Sequence, residues 1–320
     1  MNLYTIVYRK RENMKHIFII NPTAGKKNSC EVIKEKLNIL LQEEKYKDIK
    51  YEIYETKGKN DATNFAREYC EREKDEELRF YACGGDGTIN EVVNGIYGYS
   101  NASFSCYPCG SGNDFVKVFK DSDFTDLKAL IDGEKQKIDL IRVNGKYCVN
   151  ITNVGFDAAV AYNMTKFKNW PLVTGKSAYT LGLIKSLFSE MKHYADIYID
   201  GNKIDEKGFL LGCACNGICC GGSYYCNPYG KVDDGIMDCL VVKHMSVFKF
   251  LKMVKKYQNG TYLEDEKIMQ YINVYKPQNM KIISLKKDIK YGLDGETYKE
   301  KEINIELAKE CINFIKPCVK

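Results

Sequence analysis

The amino-acid sequence predicts two domains of different kind, an α/β domain built on a parallel sheet and then a mainly β domain. Three observations lead there. A chain of 320 residues corresponds to about two domains at roughly 150 residues each. Its first half alternates apolar runs with stretches of helical periodicity. After Lys137 that alternation gives way to short strand-like runs.

In the first half, Ile17–Ile20 is an apolar run, and Ile33, Leu37, Leu40 and Leu41 then recur at helical spacing. Tyr51–Tyr54 alternates as a strand does, and Ala62, Phe65, Ala66 and Tyr69 line one helix face. Leu78–Cys83 is a strand, Thr88–Asn94 opens a helix, and Ser103–Tyr107 is another strand. Strands separated by helices pair in parallel, with the helices on the sheet faces. The second half offers strands at Ile138–Ile141, Tyr147–Val154, Ile197–Ile199, Phe209–Cys215, Met237–Val242, Met280–Leu285 and Ile303–Leu307. Two helices interrupt them, Ser177–His193 and Val247–Tyr257.

With 44% hydrophobic and 28% charged residues and only 6 Pro, the composition is that of an ordered globular protein and excludes extended disorder or collagen-like repeats. Lys+Arg exceed Asp+Glu by 48 to 43, too little to argue for nucleic-acid binding. No apolar run approaches the 18 or so residues of a membrane span. The basic residues Arg9, Lys10 and Arg11 precede an apolar stretch too short for a signal peptide, so a cytoplasmic location is expected. In that setting the 14 Cys read as reduced thiols. Cys213, Cys215, Cys219, Cys220 and Cys226 lack the separated C-x2-C knuckles of a zinc site, and period two puts Cys213 and Cys215 on one strand face.

The run Cys83-Gly84-Gly85-Asp86-Gly87-Thr88 falls where a strand ends and a helix begins. Backbone N–H groups and the helix dipole can hold phosphate at such a junction, and glycines let a ligand approach closely. Asn90 replaces the third glycine of a dinucleotide fingerprint, and no G-x4-G-K-[ST] exists in the chain. Taken alone, the loop is also an ordinary turn sequence.

Other runs stand in order around it: Asn21-Pro22-Thr23-Ala24-Gly25, the extended loop Gly84–Gly95, Pro108–Phe115, Asn153–Ala158, Asp233–Asp238 and Asp294-Gly295-Glu296. Together they resemble the diacylglycerol kinase catalytic-domain family, specifically the bacterial soluble lipid kinases related to sphingosine kinases, with Ser111 where Thr is commoner. The resemblance spans roughly residues 15 to 318. It implies an N-terminal nucleotide-binding, Rossmann-like α/β domain over 14–137 and a β-sandwich lipid-substrate domain over 138–307. Residues 308–320 would complete the first domain, and 1–13 would be an N-terminal extension.

The activity it implies is ATP-dependent transfer of the γ-phosphoryl group to a hydroxyl of diacylglycerol or a related lipid. ATP would meet Asn21, Thr56, Gly84, Gly85, Asp86, Gly87, Thr88, Ile89, Asn90, Glu91 and Ser111. After Thr56, Lys57-Gly58-Lys59-Asn60 departs from the family's shorter spacing. Phosphoryl transfer is mostly positioning and charge neutralisation and needs a divalent cation with oxygen ligands. By resemblance Mg2+ is held by the Asp234 carboxylate and the carbonyls of Lys231 and Ile236. The base is expected in Asp294 or Glu296, Asp86 being the family's other assignment. Without the family, Asp-Asp-Gly is a turn sequence and Asp-Gly a hairpin one. The implied partner is a lipid at the membrane surface, met by peripheral contact with the inner face of the membrane. No nucleic-acid partner is implied, and a homodimer is left open.

Two competing readings are an NAD kinase-like enzyme phosphorylating a non-lipid hydroxyl, and a catalytically silent lipid-binding protein. The first and third motifs argue against the former, and the presence of Asp86, Asp234, Asp294 and Glu296 against the latter. Val247, Phe250, Leu251 and Val254 recur at helical spacing with Lys on other faces, which fits a surface helix packed on the β domain before it fits a membrane-interfacial one. Lys166, Lys168, Trp170 and Lys176 are candidate contacts for anionic lipid; Leu181, Ile184, Phe188 and Met191 either line an acyl pocket or pack in the core.

Overall fold

The computed structural model describes residues 14–25, 29–167, 170, 175–205 and 208–318. The extension 1–13 with Arg9, Lys10 and Arg11, Lys168, and the side chain of Lys176 lie outside the described residues. The chain begins β1 (Met14–Ile20), α1 (Ser29–Leu40), β2 (Lys50–Glu55), α2 (Asp61–Arg72), β3 (Glu77–Gly84), α3 (Asp86–Ile96) and β4 (Ala102–Pro108). A 3-10 turn at Phe115–Val118 and α4 (Leu127–Ile131) follow. Next come β5 (Glu134–Val143), β6 (Lys146–Cys148), β7 (Ile151–Gly155), α5 (Phe156–Phe167), α6 (Gly175–Ser189), β8 (Ala195–Ile199), β9 (Asn202–Lys203) and β10 (Phe209–Cys215). The remainder is β11 (Asp238–Lys243), α7 (Val247–Asn259), α8 (Glu266–Met269), β12 (Ile272–Tyr275), β13 (Asn279–Ser284), β14 (Ile289–Leu293), β15 (Glu296–Glu300) and β16 (Glu302–Lys316). Two compact units divide the chain: one runs to Ile138 and resumes over Glu310–Lys320, and the other is Asp139–Lys309.

In the first unit β2, β1, β3 and β4 lie side by side, all parallel. Ile17–Ile20 and Phe80–Cys83 are wholly buried, because a parallel sheet is covered on both faces and its strands need no polar side. The end of β16 joins this unit, with Phe314 opposite Phe104 of β4 and the Ser105 hydroxyl donating to the Ile315 carbonyl at 2.7 Å.

The second unit is an antiparallel β sandwich. One sheet has the order β12-β11-β10-β7-β14-β15, and the other runs β16-β13-β8-β9 with β5 and β6 attached. Alternation supplies the core between them: Val154, Cys239, Val241 and Tyr291 face Ile197, Met280, Ile282 and Ile305. The opposite face of the six-stranded sheet, with Cys213, Cys215, Leu240 and Val242, packs under Phe156, Val160, Tyr257, Tyr262 and Ile268. The fold is therefore an α/β domain followed by an antiparallel sandwich, the class read from the sequence.

Several elements differ from the sequence reading. α5 is a helix where none was read: packed on both sides, by the six-stranded sheet and by α6, it lacks the polar face that makes helical periodicity visible. Tyr147–Val154 is two strands, broken at Val149-Asn150, where a carboxylate described below takes the backbone N–H groups. β12 and β15 were not read as strands, and β16 extends from the expected Ile303–Leu307 to Lys316, with Glu310 at φ 41 where it passes between units.

Candidate active site

In the first unit, β1 is followed by β2 on one side and β3 on the other, so the strand order reverses between β1 and β3. Ligands of parallel α/β sheets bind beyond the carboxyl ends of the strands at such a reversal. Asn21 stands at the end of β1 and Gly84 at the end of β3. The Asn21 backbone N–H donates to the Cys83 carbonyl at 2.9 Å and its side-chain amide to Thr88 Oγ1 at 3.3 Å. Thr56, just past β2, donates its backbone N–H to Ile20 at 2.9 Å. The first motif, Thr56 and the glycine loop thus share one edge of the sheet.

α3 enters through Gly85, a residue with no side chain to cap its first turn. Helix N-termini present N–H donors to an anion, and the helix dipole favours one. The glycines around it divide by role. A Cβ on Gly84 would lie 2.2 Å from Thr88 Oγ1, and one on Gly110 2.5 Å from the Gly85 Cα. These glycines are required by loop-on-loop packing, which the N–H groups of Cys109 and Gly110 complete by donating to the Gly84 carbonyl at 2.8 and 3.2 Å. At Gly87, by contrast, a Cβ would meet nothing within 4 Å. Gly87 alone of these four faces open space.

The other loop residues sort the same way. Ile89 and Thr88 are buried, so only their backbone could face a ligand. The Glu91 carboxylate takes the N–H groups of Asn60 and Ala62 at 2.9 and 3.1 Å and caps α2, while Asn90 accepts the Asn94 amide at its carbonyl at 2.9 Å. Asp86, half-buried in the first turn of α3, accepts the N–H groups of Asp114 and Phe115 through Oδ1 at 2.7 and 3.2 Å and so ties the third motif to the glycine loop. Ser111 is exposed beside it. None of these cross-loop bonds is legible in the local sequence.

In the second unit the expected acid pair separates. Asp294 and Gly295, at φ 44 and 93, form the two-residue turn between β14 and β15, as an Asp-Gly hairpin does. Asp294 is only 4% exposed. Its Oδ2 takes the Val149 N–H at 2.8 Å, and its Oδ1 those of Asn150 and Ile151 at 3.0 and 3.4 Å and the Cys148 thiol at 3.2 Å. Both Asp294 oxygens accept hydrogen bonds in the interior, where the carboxylate holds the β6–β7 corner to the hairpin. Glu296 opens β15 and is partly buried.

The Lys231–Ile236 loop is built around Asp139, which is wholly buried and accepts the Gly235 N–H at 2.7 Å. Asp234 is exposed, and its Oδ1 accepts the Ile236 N–H at 3.1 Å. Among the described residues, no N–H donates to the carbonyls of Lys231 or Ile236. One carboxylate with two uncommitted carbonyls on a tight turn is an oxygen donor set suited to a hard cation such as Mg2+; its residues fit one.

Asp157, quoted within a motif but given no role by sequence, lies in the first turn of α5. Burial first, and the Cys213 thiol beside it second, push its carboxyl up to about 7. The segment 247–254 packs on the sandwich, as its spacing favoured, whereas the acyl-pocket and core readings are corrected for Ile184 and Phe188. Phe250 and Val254 turn inward over a cavity of about 30 Å3 with Leu210, Met245 and Tyr257, whereas Leu251 points to solvent with Phe248; that volume holds about one water and no acyl chain. Ile184 and Phe188 are exposed, Phe188 by 87%, so these two line neither pocket nor core. Trp170 is exposed as well, and Lys166 stacks over the Tyr162 ring. No helix among the described residues is long and apolar enough to cross a membrane.

A glycine loop opening into a helix at a strand-order reversal, on an α/β domain followed by an antiparallel sandwich, gives the class: a two-domain protein with a junction suited to phosphate. Comparison with known proteins makes it particular. Residues 15–143 match the diacylglycerol kinase catalytic domain, and residues 150–316 the YegS C-terminal NAD kinase beta sandwich-like domain. The diacylglycerol kinase of Bacillus subtilis (strain 168) is 30% identical over 286 residues, 87% of this chain and 88% of that one. A diacylglycerol kinase of Staphylococcus epidermidis is 29% identical over 284 residues, 87% and 84% of the two chains. A crystal structure of a diacylglycerol kinase from Bacillus anthracis superposes with a TM-score of 0.67 at 20% identity, covering 96% of this chain and 98% of that one. The chain belongs to the diacylglycerol kinase family of lipid kinases, and it is a kinase.

Proposed function

We propose that this kinase transfers the γ-phosphoryl group of ATP to the hydroxyl of diacylglycerol or a closely related membrane lipid. The observation that carries the nucleotide half is the glycine junction between β3 and α3 at the strand-order reversal, with open space at Gly87 where a Cβ meets nothing. There the phosphates lie against backbone N–H groups, with Asn21, Thr56 and Ser111 around them. Asp86 positions the third motif through Asp114 and Phe115. Membership of a lipid kinase family supports the acceptor.

Glu296 serves as the general base that takes the lipid hydroxyl proton as the phosphoryl group arrives. Asp294 fixes the hairpin from which Glu296 projects. Bound at the 231–236 loop, Mg2+ would supply positive charge against phosphate oxygens; Asp234 and the carbonyls of Lys231 and Ile236 would hold it. The protein meets its lipid at the membrane surface from the cytoplasmic side.

The test is transfer of label from γ-radiolabelled ATP to a panel of diacylglycerol, a sphingoid base and phosphatidylglycerol, with NAD as a non-lipid acceptor. Label in diacylglycerol and none in NAD is the expected result. Label in NAD alone would move the chain to the competing reading.

A further inference from the structure

Four thiols of the second unit gather on one side of the six-stranded sheet. Cys213 and Cys215 project from the same face of β10, Cys226 packs with them, and Cys220 lies at the edge of the same cluster. Cys226 is wholly buried, whereas Cys220 is partly exposed. The two sulfurs lie 3.6 Å apart, with Cys226 the donor.

The backbone around them is fixed. Cys220 and Tyr224 exchange N–H···O bonds at 2.9 and 3.0 Å across a hairpin whose Gly221 and Gly222 sit at φ 60 and 82. The Tyr262 hydroxyl donates to the Cys226 carbonyl at 2.6 Å, the Asn227 N–H donates to Ile218 at 3.2 Å, and the Asn150 amide donates to the Cys219 carbonyl at 2.9 Å. Both cysteines are thus held with their sulfurs facing, one on a partly exposed residue and one on a wholly buried residue. An accessible attacking thiol beside a protected resolving thiol is the arrangement a peroxide-sensitive pair requires.

We propose that Cys220 and Cys226 form a redox modification site, closing to a reversible disulfide when the protein meets hydrogen peroxide. The Cys220 sulfur, as thiolate, attacks one peroxide oxygen; the O–O bond breaks, water leaves, and Cys220 becomes a sulfenic acid. The Cys226 sulfur then attacks that sulfur, the S–O bond breaks, and hydroxide departs as water with the Cys226 proton. Two thiols lose two electrons and peroxide gains them, giving one disulfide and two waters. Reduction by a small dithiol reverses the step. The closed ring spans only the short 220–226 hairpin, so it restrains the unfolded chain little, as suits a reversible bond more than a structural one.

The experiment is a peptide map of the full chain after graded hydrogen peroxide, with exposed thiols alkylated before denaturation and the remainder after. The expected first product is a Cys220–Cys226 cross-link that dithiothreitol removes, formed before loss of any other thiol. With Cys226→Ser, Cys220 should be trapped as sulfenic acid by dimedone. With Cys220→Ser, oxidation of Cys226 should slow by about tenfold or more, as expected of a buried thiol. Earlier loss of Cys109, Cys311 or Cys318, which are also partly exposed, would overturn the proposal. So would Cys220 running on to sulfinic acid while Cys226 stays alkylatable in the unfolded wild-type chain. The wild-type map decides the matter even if a variant fails to fold, and it is independent of the lipid kinase reading.

Discussion

Asp86 and Asp294 both sit in glycine-bearing turns, and both are candidates for the same catalytic role, yet the structure uses them differently. Asp86 is half-buried and engages two backbone N–H groups through one oxygen. Asp294 is buried and engages three N–H groups and a thiol through both. A carboxylate with both oxygens committed in the interior holds a fold together, and removing it leaves buried donors without an acceptor. A half-buried carboxylate in the first turn of a helix can organise a loop and still meet solvent. Being acidic and next to glycine does not separate the two; depth of burial does.

The sharpest way to break this contrast is Asp294→Ala. Urea denaturation should show a loss of about 3 kcal/mol or more of stability, from the stranded donors. The same change at Asp86 should be milder, since its position is wetter. Equal, small losses at both would remove the distinction.

Next in size is the contrast among glycines. Gly85→Val brings a branched side chain to within 3.3 Å of the Gly110 backbone and should destabilise by about 1–3 kcal/mol, so loss of nucleotide binding there would not by itself locate the nucleotide. Gly87→Ala should leave the melting temperature nearly unchanged while weakening ATP binding by calorimetry. Unchanged ATP affinity in Gly87→Ala would move the phosphates elsewhere.

A smaller effect concerns Asp157. Its folded carboxyl titrates near about 7 against 3.8 for the ordinary group, so the folded state holds a proton that the unfolded chain releases. Stability from this group is therefore present at low pH and lost as pH rises from about 4 to about 7. Asp157→Asn should match wild type near pH 4 and melt higher than wild type at pH 8. A difference that does not change with pH would contradict burial as the cause.

Smallest is Asp234→Asn. An amide oxygen can still accept the Ile236 N–H, so stability without metal should change by no more than about 0.5 kcal/mol, while the Mg2+ concentration needed for half-maximal activity rises. An unchanged Mg2+ requirement would make the loop only a turn.

How much of this was legible in the sequence follows from what each feature depends on. β1, β3 and the glycine loop depend on local pattern, and Ile17–Ile20 with Gly84–Thr88 announces them. α5 was hidden because its second face is covered by α6, so Phe156–Val160 shows no polar stripe. The break in Tyr147–Val154 is imposed by Asp294, more than 140 residues away. Glu91 read as part of a nucleotide loop, yet its carboxylate caps a helix 29 residues earlier in the chain. Residue type marked the acids; their hydrogen-bond partners are legible only in the fold.

The central claim, that Glu296 acts on the substrate while Asp294 holds the hairpin, is tested most directly by Glu296→Gln. Label transfer from γ-radiolabelled ATP to diacylglycerol should be followed alongside ATP affinity and urea stability. Turnover should fall by about 100-fold or more, with ATP affinity and stability unchanged. Full turnover in Glu296→Gln, together with complete loss in Asp86→Asn, would contradict the account and place the base in the glycine loop.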